Sequence, residues 1–164
     1  MKWIHALAAT VLFSTGCVGG QESGLAVETS ECAAKGMGTL GGDEFFVGRL
    51  IGDLNQGVHG RWVHWGPPVC VEPDQEGYHL GERDHLVAMP EQIDCRLNGF
   101  GFATVAGSAL WNGQDGHTFH LQLQDYRGAQ PDQYRLLVFD STGQPVYIVN
   151  DQVAAGDISV LPRR

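Results

Sequence analysis

The sequence predicts an all-β fold: an antiparallel sandwich or partly open barrel of about eight strands joined by hairpins. Three observations carry this. Runs rich in aromatic and branched residues recur about every 10 to 16 residues from position 44 onward. Clusters of Gly, Pro, Asn and Asp separate them, and 23 of the 164 residues are glycine. No stretch after the first 31 residues keeps a helical period.

The elements follow in order. "MKWIHALAATVLFSTGC" has a cationic start at Lys2 and an apolar run too short to span a bilayer. Small residues then lead into Cys17. The stretch resembles a bacterial lipoprotein signal, with residues 1–16 as the leader and Cys17 as the acylated residue. Val18, rather than Asp, follows the cysteine, which on that resemblance implies the outer membrane. The lipid anchor would then be the chain's contact with the membrane. Residues 18–31 have the composition of a tether, and a single domain is expected over 32–164.

"EFFVGRLIGDL" (44–54) and "HGRWVHWG" (59–66) read as strands with "DLNQG" turning between them. Residues 67–84 are rich in Pro, Gly and acids and read as a long loop. Residues 85–99 give two short strands interrupted by Pro90, because proline removes a ladder donor. Further strands are expected at 100–111, 117–125, 133–140, 145–151 and 157–161. Along 117–125, Phe119, Leu121 and Leu123 share one face, and Thr118, His120, Gln122 and Gln124 the other. Asn112-Gly113 and Asp115-Gly116 suit the positive-φ positions of a hairpin, so their Asn and Asp need no catalytic role.

The charge balance excludes some functions. There are 19 Asp+Glu against 10 Lys+Arg, the only lysines are Lys2 and Lys35, and no basic stripe is expected. Nucleic acid and adsorption to an anionic bilayer are therefore not expected. The cysteines are Cys17, Cys32, Cys70 and Cys95. Export permits disulfides, and Cys70 with Cys95 is the expected pair, although Cys32 could replace either. No Cys or His spacing matches a zinc pattern, so no transition metal and no cofactor are expected. His117 and His120 fall on opposite faces of a strand, and the histidines read as surface residues.

The candidate sites are few. Asp125, Arg127 and Asp132 lie in one loop, where they would form an Asp–Arg ion pair or, less simply, hold a structural calcium ion. Neither Ser108 nor Ser141 sits in a nucleophile elbow. Paired carboxylates of a hydrolase leave no spacing signature, since the fold sets their separation. Trp62, Trp65 and Tyr78 form the candidate binding face. On a strand, Trp62 shares a face with His64, and Trp65 shares the other with Arg61 and Val63. One indole is then core, and the other could stack on a sugar or a partner protein; burial of both is the alternative.

"GTLGGDEFFVGRLIGDLNQGVHGRWVHW" and the segment from "ATVAGSALWNGQDGHTF" through "YRLLVFDSTGQPVY" resemble bacterial exported β-modules that follow choice-of-anchor domains, the post-COAP modules. The shared frame is "WNGQDGHTF", Asp125, a Gly/Pro loop and Asp132. The resemblance implies a surface-associated accessory domain with no defined reaction. The expected function is accordingly that of a non-catalytic envelope lipoprotein acting as a surface binding or structural accessory module, with a glycan or envelope protein as the partner where it binds. The alternatives are a carboxylate-based hydrolase of envelope polymers and a hydrolase inhibitor presenting residues 67–84.

Overall fold

A computed structural model describes residues 31–66, 84–97 and 99–162. Cys17, Cys70, Tyr78 and all of the expected 67–84 loop except Asp84 lie outside them, as do the expected leader and all of the expected tether except Glu31. The fold is all-β, as expected. Nine strands form one antiparallel sheet curled into a half-barrel. They are β1 (Cys32–Thr39), β2 (Phe45–Asp53), β3 (Gly57–Trp65), β4 (His85–Leu97), β5 (Gly101–Trp111), β6 (Gln114–Asp125), β7 (Gln133–Phe139), β8 (Pro145–Gln152) and β9 (Ala155–Pro162). Strands β1 to β8 meander in sequence order, and β9 returns to the far side of β1.

Strand β1 has no expected counterpart. "CAAKGMGT" holds no aromatic or branched aliphatic residue, and Thr39 at its end is its one β-branched side chain. It is extended because β2 and β9 pair with all eight of its residues. Its glycines have a packing reason. Gly36, Gly48 and Trp62 are cross-strand neighbours on the concave side. The Trp62 indole lies over the two glycines, and a Cβ on Gly48 would come within 2.4 Å of it. Phe46 stacks on Trp62 at 5.7 Å and on Tyr134 at 4.6 Å, so the interior is filled by rings.

Strand β4 is one continuous element rather than two. Its register slips between Pro90 and Gln92, and this bulge accommodates the proline. Glu91 then accepts a hydrogen bond from the Ser108 amide at 3.1 Å. The β5–β6 hairpin turns at Asn112-Gly113, both with positive φ, as a two-residue turn matched to strand twist requires. The Asp115-Gly116 pair instead falls where the register slips near the start of β6.

A disulfide joins Cys32 to Cys95, with their Cα atoms 6.1 Å apart. This corrects the expected Cys70–Cys95 pair. The two strands are separated in the sheet by β2 and β3. Curling brings their concave faces together, which sequence spacing does not reveal.

Candidate functional site

The sheet offers a filled concave side and a convex side turned to solvent. On the concave side a polar cluster of Glu44, His64 and Tyr147 gathers from just ahead of β2, near the end of β3 and in the first half of β8. Period-two alternation turns His64 inward beside Trp62, and no part of it is exposed. Its Nε2 lies 2.9 Å from the Tyr147 hydroxyl, which donates to Glu44 Oε1 at 2.8 Å. With that proton committed to Glu44, the ring donates through Nε2–H and leaves Nδ1 as a bare acceptor. His64 Nδ1 and Glu44 Oε2 are both buried without a hydrogen-bond partner. Deeper in, Trp62 Nε1–H donates to the Tyr134 hydroxyl at 3.3 Å.

Burial sets the electrostatics of this cluster. It lowers the His64 pKa to about 4, so the ring is neutral at neutral pH. It raises Glu44, an effect opposed by the Tyr147 hydrogen bond and reinforced by the charge of Asp151. Burial also raises Tyr147, and the hydrogen bond and charge of Glu44 add to it. Both tyrosines remain protonated, Tyr147 donating to Glu44 and Tyr134 accepting from Trp62. His64 therefore departs from the expectation that the histidines are surface residues. The signal was its place two residues from Trp62, on the same face of a strand.

The Asp125–Arg127–Asp132 group is built differently from either expectation. Asp125 Oδ1 accepts from the Arg127 backbone amide at 2.8 Å, and Oδ2 from the Val160 amide at 3.0 Å. Asp132 Oδ1 accepts from the Tyr126 amide at 2.9 Å, and Oδ2 from the Ile158 amide at 2.8 Å. The expected ion pair is absent: the Arg127 side chain is exposed, with positive φ, and its amide makes the contact. All four carboxylate oxygens are engaged by backbone donors, so the pair anchors β9 rather than offering free ligand atoms. Among the described residues no three His, Cys, Asp or Glu side chains are grouped to hold a metal ion.

The expected binding face divides. Trp62 is core, which corrects its assignment to a binding surface. Trp65 points outward, half-buried, with its ring 5.3 Å from that of Phe45. They lie beside a convex row that sequence reading missed. Met37, Val47, Val63, Val87 and Leu110 are successive cross-strand partners through β1 to β5. Met37 is 60% exposed, and the others are half-buried. The row arises because these strands carry apolar residues on both faces.

No family model, curated protein or solved structure matches this chain. Fold and site together define a half-barrel with an occupied interior and, among its outward features, an aromatic pair set against an apolar row.

Proposed function

We propose that the protein is an exported, lipid-anchored, non-catalytic module that binds an envelope glycan on the convex face of β1 to β5. The carrying observation is the outward Phe45–Trp65 pair beside the row Met37–Val47–Val63–Val87–Leu110. Indole and phenyl faces stack on sugar rings, and extended apolar surface rimmed by polar groups is a mark of recognition sites. The lipoprotein-like start at Cys17 supports export to the outer membrane. The Cys32–Cys95 bond supports it too, since structural disulfides persist in oxidising compartments. The resemblance to post-COAP modules fits the same role.

The test is capture of glycan from the envelope fraction by the full-length chain, with the bound sugar identified by mass spectrometry. Trp65→Ala and Val63→Glu, both outward, should each lower capture at least fivefold. Undiminished capture by both variants overturns the reading.

One observation favours a second reading, that of a hydrolase. Glu44 is half-buried, and its pKa is raised first by burial and then by the charge of Asp151, the direction expected of a general acid near a second carboxylate. On this reading the wild type releases reducing sugar from envelope polymers, and Glu44→Gln abolishes the release. Absence of release by the wild type removes it.

A further inference from the structure

Three of the chain's ten cations stand in one line on the convex face. Lys35 pairs with Arg49 across β1 and β2, and Arg49 pairs with Arg61 across β2 and β3. All three side chains are exposed. Adjacent strands are about 4.8 Å apart, so the line spans roughly 10 Å. Like charges directly opposite each other in a sheet repel and destabilise it. None of these three cations has an ion-pair partner among the described residues. The nearby carboxylate of Asp157 accepts from the Ser159 hydroxyl at 3.1 Å instead.

Two shallow depressions lie along the line. One is lined by Lys35, Met37, Gly48, Arg49, Ser159 and one acid, Asp157, and the second by Val47, Gly48, Arg49, Ile51 and Arg61. They share Gly48 and Arg49 and so form one path from β9 to β3. Apolar rows border it on both sides: Met37–Val47–Val63 on one, Leu161–Ala33–Ile51 on the other.

We propose that this line of cations binds a linear anionic polysaccharide, its carboxylate or sulfate groups meeting Lys35, Arg49 and Arg61 and its ring faces resting on the bordering apolar rows. The proposal rests on the glycan-binding reading above and names the class of glycan. Charge and border together suit the occupant. A half-barrel bends in the direction across its strands, which is the direction of the line. A flexible chain follows that bend and meets the cations and both bordering apolar rows at once. Single-stranded nucleic acid is held by aromatic side chains interleaved with cations, and this line contains none.

The experiment is titration calorimetry on the full-length chain with polygalacturonate, in 50 mM and 500 mM NaCl. Neutral dextran, phosphatidylglycerol vesicles and single-stranded DNA serve as comparisons. Binding to polygalacturonate should weaken with salt and exceed binding to all three comparisons. The triple variant Lys35→Gln/Arg49→Gln/Arg61→Gln should weaken it at least tenfold, and Arg49→Gln alone at least threefold. These sites are exposed, so circular dichroism should be unchanged. Preference for vesicles or DNA, or a triple variant within twofold of the wild type, overturns the proposal. If the triple variant still captures envelope glycan while Trp65→Ala does not, the polyanion class fails and the glycan-binding reading stands.

Discussion

His64 shows how one residue ties packing to proton chemistry. It stacks on Tyr134 at 5.5 Å and donates to Tyr147, with its Nδ1 bare in the core. Protonating that nitrogen would place an unpaired charge among rings. The folded pKa of about 4 lies below the unfolded value of about 6.5. The unfolded chain therefore takes up the proton first as pH falls. Stability from this residue is full above about pH 6.5 and is lost as pH falls toward 4. Glu44 has the opposite sign: its raised pKa favours the folded state below the unfolded value, and that advantage disappears as pH rises through the folded one. Tyr134 and Tyr147, the other titratable groups against the ring, stay protonated throughout this range. Lowering pH from 7.5 to 5 should cost the wild type on the order of 2 kcal/mol through His64. His64→Gln should remove most of that slope, whatever its effect at pH 7.5. Urea unfolding at the two pH values measures it, and an equal slope in both proteins would show that His64 does not titrate as described.

At the scale of elements, the two sheet edges are treated differently. Strand β9 leaves the amides of Ile158 and Val160 pointing away from β1, and the inward carboxylates of Asp132 and Asp125 accept them. Side chains here do the work of a missing strand and protect an edge that would otherwise be open. Asp132→Ala would leave the Ile158 and Tyr126 amides without acceptors, a loss of about 2–4 kcal/mol. Amide exchange should accelerate at Ile158 far more than in β6, and uniform acceleration would point to global destabilisation instead. The sequence carried some of this architecture and not the rest. The alternation Phe119, Leu121, Leu123 located the buried face of β6, and Asn112-Gly113 located its hairpin, because both signals are local. Strand β1 was illegible because its small residues are extended only by their neighbours. Trp62 and Trp65 could not be ranked, since period two gives a tryptophan to each face. What separates them is the bare pair Gly36 and Gly48 opposite Trp62, a matter of register. The line Lys35–Arg49–Arg61 was hidden for the same reason: residues distant in sequence become neighbours only when strands pair.

At the scale of the molecule, the question is what keeps an open sheet curled. Strand β9 packs toward β4, β5 and β6 across the concave side, and a Cβ on Gly101 would come within 2.8 Å of Val160. Close approach there needs glycine. The Cys32–Cys95 bond ties the first strand to the fourth across the same space. Its residues are 63 apart in sequence, so closing that loop in the unfolded chain is worth about 4 kcal/mol on the chain-entropy account. Curvature also orients the convex face, because uncurling would straighten the path from β9 to β3. Cys95→Ser should therefore lower the melting temperature by on the order of 10 °C. It should also weaken glycan capture at temperatures where the sheet remains folded. Peptide mapping without reductant should link the Cys32 peptide to the Cys95 peptide. A Cys70–Cys95 link would instead leave β1 held only by its hydrogen bonds to β2 and β9, and the effect of Cys95→Ser on capture should then vanish.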